Sequence, residues 1–409
     1  MEKKKISVIL LSLSLITLFF PPIIISIAGF GLVIPIGEIF LYLSVAFRIK
    51  FNARIKIDRV LLLYGLYIYF SFFSLINSIS VSRFIIGFQW YVTGFVALAL
   101  VARATQNKKE ILLLVRSFYL GIILLALQVI ANTLFVNGGR FLVGNKIQLS
   151  IGGSNFLATF FLLLIPLGFN YFLKKKRIRY FAIFTLAMVG LVYTASRSAL
   201  LIAIGYILIK IILVLFSRHI SVPRKIQSLL TVSVLIGLVS WSIKDFILEQ
   251  FSYGRFDDLS EQGNLLSRVQ VFEVYWEKFI SHPILGNGYL NVEDDQVFLM
   301  AHNWPLQFLA DGGFLSTLLI IGVVFYLVWT AYNTARNMND RAELDVEIRR
   351  FPVGYFEGLI LFLVHGFFEP NFNSKLGLII VFSGYGLTKL IKNMEVESNE
   401  KNNDLFPRL

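Results

Sequence analysis

His282-Pro283-Ile284-Leu285-Gly286-Asn287-Gly288-Tyr289 and, a little downstream, Ala301-His302-Asn303-Trp304 interrupt a chain that is otherwise almost continuously apolar. Both strings, together with Ser267-Arg268, lie in one polar island spanning residues 244–311. Over 409 residues the chain is 56% hydrophobic and only 15% charged, with a mean hydropathy of +0.72. A soluble domain of that length carries far more charge, so the island is read as a loop held between membrane spans.

Working outward from the island, 12 apolar segments are long enough, or nearly so, to cross a hydrocarbon core: 6–20, 32–47, 60–78, 84–102, 111–135, 156–173, 180–195, 199–216, 228–243, 312–331, 351–368 and 376–391. A core of roughly 30 Å needs about 20 helical residues at ~1.5 Å each. Inside it every backbone group must be satisfied internally, and the alternating pattern of a membrane barrel is missing, so the spans are expected to be helices. The predicted fold class is an all-α polytopic membrane protein. Residues 1–243 hold spans 1–9, 244–311 the large loop, 312–391 spans 10–12 and 392–409 a tail. The basic head at Met1–Lys5 followed by Ile6–Phe20 resembles a signal peptide but lacks a small-x-small cleavage site, and is read as an uncleaved first span.

Charge sets the expected orientation. Of the 38 Lys and Arg residues, 26 fall in the alternate loops 1–5, 48–59, 103–110, 174–179, 217–227, 332–350 and 392–409. Basic residues mark cytoplasmic loops, so both termini are expected inside and the polar island outside. Arg116, Lys210 and Lys389 sit within apolar segments near their cytoplasmic ends, where long cations snorkel. The net charge of +13 is thereby assigned to orientation, not to nucleic acid. With no cysteine there is neither a disulfide nor a thiolate metal site.

The island is acidic within a basic protein, its four cations standing against eleven acids. From Arg268 to Ser281 the residues Val269, Phe272, Tyr275, Trp276 and Phe279 recur at helical spacing, which predicts an amphipathic helix lying on the bundle or at the membrane interface. Pro283, Gly286 and Gly288 then break it into a tight turn, which His282 is expected to orient. Glu293-Asp294-Asp295 is the one dense acidic run near the site; it is read as a solvated charge run, and no metal is expected. Phosphate-loop, dinucleotide and zinc spacings are missing, which removes nucleotide hydrolysis and redox chemistry from consideration.

Two ordered series carry a resemblance. Thr194-Ala195-Ser196-Arg197-Ser198-Ala199-Leu200 lies between two spans, and Arg268-x7-Trp276-x5-His282-Pro283-Ile284-Leu285-Gly286-Asn287-Gly288 leads on to His302-Asn303-x2-Leu306-x6-Gly313. Together they are similar to the elements of the bacterial O-antigen ligase and O-antigen polymerase family, with its large periplasmic loop. The resemblance implies a membrane glycosyltransferase of the GT-C type; from the residues themselves, no metal or other cofactor is expected. Its donor would be an undecaprenyl-diphosphate-linked glycan, and its acceptor lipid A core or another O-antigen or capsular repeat unit. It would act in the bacterial inner membrane, among membrane lipids, with its site facing the periplasm. The resemblance puts the family's functional arginines at Arg197 and Arg268 and its histidine at His302; Trp276, Gly286, Gly288 and Asn303 complete the expected substrate-binding set.

Elementary chemistry agrees with those roles. Arginine's planar fork makes paired charge-assisted bonds to a leaving diphosphate, although an interfacial Arg197 can also simply snorkel and Arg268 can pair Glu261 or Glu273. Asn303 is placed to cap a helix that Trp304-Pro305-Leu306 opens. The positive end of that helix disfavours an imidazolium at His302 and leaves a neutral ring able to take a proton. His365 and Glu369, one turn apart at the outer end of the eleventh span, are either close to the site or merely interfacial. The competing class is a polytopic transporter or flippase, for which paired halves or ionisable residues inside the spans are expected. The span interiors read as apolar.

Overall fold

The computed structural model describes residues 2–27, 30–48, 58–136, 147–175, 178–216, 259–291, 300–338 and 344–405, with isolated positions at 222, 233 and 237. The described residues form α1 Glu2–Thr17, α2 Ile36–Arg48, α3 Arg59–Phe72, α4 Val81–Val101, α5 Lys108–Ala131, α6 Ser154–Lys175, α7 Ile178–Tyr193, α8 Arg197–Phe216, α9 Leu259–Ser281, α10 Trp304–Met338, α11 Val346–His365 and α12 Lys375–Leu405. Six helical stretches among them are long and apolar enough to cross a membrane: Arg59–Asn77, Val81–Val101, Lys108–Val136, Ser154–Tyr171, Arg197–Phe216 and Trp304–Met338. The protein is an α-helical multi-pass membrane protein. The expected span at 228–243 falls almost wholly outside the described residues.

Two short stretches depart from an all-helical reading. After Pro21-Pro22 the chain forms a small antiparallel hairpin, β1 Ile23–Ile27 with β2 Phe30–Ile34, pairing Ile23 with Ile34 and Ile27 with Phe30. The expected second span, 32–47, therefore begins as a strand and becomes helical only at Ile36. Runs of β-branched isoleucine suit a strand as well as a span, and periodicity does not separate the two in so short a run. A second, minimal pair joins β3 Gln148–Leu149 to β4 Gly152–Gly153, immediately before α6.

Helix α6 is the centre of the bundle. It is apolar on every side, and every residue from Leu157 to Ile165 is buried, as expected for a helix with neighbours all round. Its closest neighbour is α11, and two small residues one turn apart make that approach possible. A Cβ on Gly354 would lie 2.7 Å from Leu167 Cα, and one on Gly358 would lie 2.8 Å from the Leu163 carbonyl oxygen. This is the small-x3-small logic of membrane helix packing, in which missing side chains let backbones meet.

The span interiors are not uniformly apolar, contrary to the sequence expectation. Glu38 of α2 is buried and accepts from Lys375 Nζ at 2.9 Å, Gln89 Nε2 at 2.5 Å and Thr93 Oγ1 at 3.1 Å. Glu357 of α11 accepts from Tyr206 OH at 2.7 Å and Asn170 Nδ2 at 2.8 Å, and pairs with Lys210. Each carboxylate has a cation from a distant helix, and pairing is what makes a charge tolerable there. Single polar residues inside apolar windows do not announce such partners.

A third carboxylate ties the other end of the bundle. Glu347, only 1% exposed, takes Arg116 Nε at 2.7 Å, Arg179 NH2 at 2.7 Å, Tyr180 OH at 3.0 Å and Tyr119 OH at 3.1 Å, so it joins α5, α7 and α11. Burial alone would raise its pKa, but the hydrogen bonds from Arg116 and Tyr180 outweigh that and lower it. A lowered carboxyl contributes stability above its unfolded pKa, lost as pH falls through the folded one. Both arginines are half exposed, which weakens the Coulombic share. Glu347→Gln is expected to destabilise the bundle by about 1.5–3 kcal/mol, the range for hydrogen bonds to a charged group. Thermal unfolding in detergent would show this as a lowered midpoint near neutral pH that converges on wild type under acid conditions.

Candidate active site

Two backbone junctions assemble the site, and the first explains the glycines of the polar island. Helix α10 is kinked at Gly313, whose φ is 71° and ψ −177°. The kink releases carbonyl groups that would otherwise be spent within the helix, and the 283–288 turn uses them. Asn287 N donates to Ala310 O at 2.9 Å and Gly288 N to Asp311 O at 2.9 Å, while Phe314 N donates to Pro283 O at 2.7 Å. The approach demands bare backbone on both sides. A Cβ on Gly286 would fall 2.4 Å from Asp311 O, and one on Gly313 only 2.3 Å from Ile284 O. Gly286 and Gly288, expected to contact substrate, are turned against α10 and Ser78, with φ of 74° and 87° that favour glycine.

Side chains lock the same turn. Asn287 Nδ2 donates to Lys278 O at 2.6 Å, and its Oδ1 lies 2.8 Å from His282 Nδ1, so His282 braces the turn as expected. Tyr289 is buried among Tyr91, Phe84 and Phe88, with its hydroxyl 2.8 Å from that of Tyr67. Burial pushes the Tyr289 hydroxyl well above its ordinary pKa, and it stays protonated. The predicted helix over 268–281 is present inside α9, but its apolar residues divide between two faces. Val271 and Tyr275 pack on Ala301, Leu306 and Ala310. Val269, Phe272 and Trp276 form a separate exposed stripe; Trp276 is 46% exposed and its ring lies 5.4 Å from that of Phe279. Tyr275 thus belongs to the packed side and the rest of the predicted stripe does not, because α9 is covered on one side only.

The second junction brings the start of α10 onto the turn that ends α11. Asn303 caps α10 as predicted, its Oδ1 accepting from Leu306 N at 3.0 Å. Its Nδ2 reaches Phe367 O at 3.4 Å, and Trp304 N donates to Gly366 O at 2.9 Å. Gly366 has to be small here, since a Cβ would meet Trp304 Cδ1 at 2.5 Å. The chain immediately before the cap is bent sharply, with His302 at φ 50°, a left-handed conformation rare outside glycine. That bend sets the His302 imidazole opposite Glu369, with Nδ1 3.4 Å from Oε2.

The same turn reaches Arg197 from the other side. His365 is fully buried, with Nδ1 2.9 Å from Thr159 Oγ1 on α6 and Nε2 3.2 Å from Ser198 Oγ on α8. Ser198 follows Arg197, which is exposed at the first position of α8. Upstream, Ala195 turns the chain with φ 55°, and the Thr194 carbonyl is tied to Ser154 at the start of α6. The N-terminus of α8 is therefore fixed to α6 and α11 together, and its dipole and the guanidinium present positive charge at one place.

A cavity of about 300 Å³ opens beside this turn, lined by Trp90, Gly152, Phe156, Met300, Glu369 and Lys375 among others. Its wall is largely apolar, with Glu369 and Lys375 as the charged groups. Arg197 and His302, from the two sequence series, thus meet the same 365–369 turn through Ser198–His365 and His302–Glu369. The Arg268 side chain lies outside the described residues, as do Glu293, Asp294 and Asp295. Among the described residues no group of three or more His, Asp or Glu side chains is gathered for a metal ion. Thr159, an ordinary residue in an apolar span, carries no signal in the sequence; His365 and Glu369 were visible only as an i, i+4 pair.

Residues 180–338 match the family model described as O-antigen ligase, which takes in both sequence series and bears out the resemblance. No curated protein matches the chain.

Proposed function

We propose that this protein belongs to the O-antigen ligase family and transfers a glycan from an undecaprenyl-diphosphate carrier to an acceptor hydroxyl, without a metal, on the outer side of the bacterial inner membrane. The observation that carries the reading is the 365–369 turn, which holds a helix N-terminus bearing Arg197 and a segment bearing His302. Charge for a leaving diphosphate and a base for an attacking hydroxyl are the two requirements of this transfer. Arg197 and Arg268 grip the diphosphate oxygens. His302 removes the proton as the acceptor oxygen bonds to the anomeric carbon, and the carbon–oxygen bond to the diphosphate breaks, releasing the lipid diphosphate. The cavity beside Glu369 is the space from which the acceptor approaches. Lipid A core and a further repeat unit both fit this description, so ligase and polymerase share the mechanism.

Replacing Arg197 or Arg268 by Lys is expected to lower transfer at least about tenfold, because a point charge does not reproduce the paired fork. Purified variants are assayed for undecaprenyl-diphosphate binding and for glycan transfer. Transfer at the wild-type rate in Arg197→Lys would remove the diphosphate grip from that residue.

A further inference from the structure

We propose that Glu369 is the positioning residue of His302: its carboxylate accepts the Nδ1 proton and leaves the Nε2 lone pair for the acceptor hydroxyl. The inference rests on the base role of His302 and adds the group that makes that role directional. The observations behind it are geometric. Glu369 Oε2 faces Nδ1, not Nε2, at 3.4 Å. Among the described residues His302 is the side chain that this carboxylate meets, and with 13% exposure Glu369 is poorly hydrated. The backbone that carries the carboxylate is fixed, since Glu369 N donates to His365 O at 3.1 Å and Glu369 O accepts from Asn371 N at 2.7 Å. Its partner is held as firmly, by the Asn303 cap and by the Trp304–Gly366 backbone bond.

A neutral imidazole has one N–H, and the hydrogen bond it makes decides which nitrogen carries it. With Nδ1–H directed to Glu369, the ring is in the tautomer that accepts at Nε2. When it takes the acceptor's proton, the resulting imidazolium lies beside the Glu369 carboxylate; the His302 ring is 42% exposed, so solvent screens part of the attraction and the carboxylate stabilises the charged ring to that reduced extent. A distance of 3.4 Å is long for a charge-assisted bond, and such contacts shorten when substrate arrives. Glu369 also lines the cavity assigned to the acceptor, and His302 is joined to that wall through Glu369.

The test uses full-length protein in detergent, with undecaprenyl diphosphate as the binding probe and glycan transfer as the activity. Glu369→Gln is expected to lower kcat about 10–100-fold, the range for loss of an orienting partner, with KM for the donor and probe binding unchanged. Glu369→Asp is expected to recover part of that loss by keeping the charge, and it carries the test if the Gln variant does not fold. A double variant, Glu369→Gln with His302→Ala, is expected to be no slower than His302→Ala alone, because an orienting group has nothing left to orient. Wild-type kcat in Glu369→Gln, multiplied losses in the double variant, or loss of probe binding would each overturn the assignment. If His302→Ala transfers normally, the base reading itself fails, which is a separate result.

Discussion

His302→Ala is expected to slow the chemical step by about 10²–10⁴-fold, the increment of a positioned general base, while undecaprenyl-diphosphate binding survives. The separation follows from where the ring is held. His302 stands on the α10 side of the 365–369 turn, at Glu369, whereas Arg197 reaches that turn through Ser198 and His365. Removing the imidazole leaves the Asn303 cap and the Trp304–Gly366 backbone bond in place, so the scaffold is retained. Monodisperse protein with normal donor affinity and little transfer is the expected result. Normal transfer would show that another group takes the proton, and lost affinity would move His302 to the donor side.

Gly313→Ala is expected to unseat the 283–288 turn and to cost more than about 3 kcal/mol, at the upper end of single-substitution effects. Two penalties coincide. The residue has φ 71° and ψ −177°, a region essentially reserved for glycine, where a side chain costs roughly 1–3 kcal/mol. The new Cβ would also press on Ile284 O at 2.3 Å and Gly286 N at 2.6 Å, backbone atoms with no rotamer through which to yield. Retreat of the turn breaks the bonds from Asn287 N, Gly288 N and Phe314 N, and with them the seat of Tyr289. Gly322→Ala in the same helix is the control, because its Cβ would meet Leu63 Cδ1 at an ordinary 3.5 Å. Thermal unfolding in detergent should separate the two clearly; equal midpoints would mean that the kink accommodates a side chain.

The Gly286–Gly313 contact also shows how a sequence reading reaches the right residues for an incomplete reason. Two glycines flanking Asn287 signal a tight turn, and the turn is there. What the turn is for depends on a partner kink in α10, and no local pattern reports that partner. The aromatic stripe of α9 has the same limitation. Its period predicts a helix correctly, but which side is covered depends on where Ala301, Leu306 and Ala310 come to lie.

Short-range chemistry is what can be read directly along the chain. Unbroken apolar runs require helices because hydrocarbon cannot satisfy a backbone, Asn303 ahead of Trp304-Pro305 stops and caps a helix, and Arg197 stands where one span ends and the next begins. The tertiary structure alone decided the pairings. His302 with Glu369 joins residues 67 apart, Ser198 with His365 joins residues 167 apart, and Glu38 with Lys375 joins residues 337 apart. A buried polar group gains its meaning from the group that satisfies it, and in a helical bundle that group comes from whichever helix packing brings alongside. Here the bare faces of Gly354 and Gly358 let α11 settle against α6, and that approach carries His365 to Thr159 and sets Glu369 beneath His302.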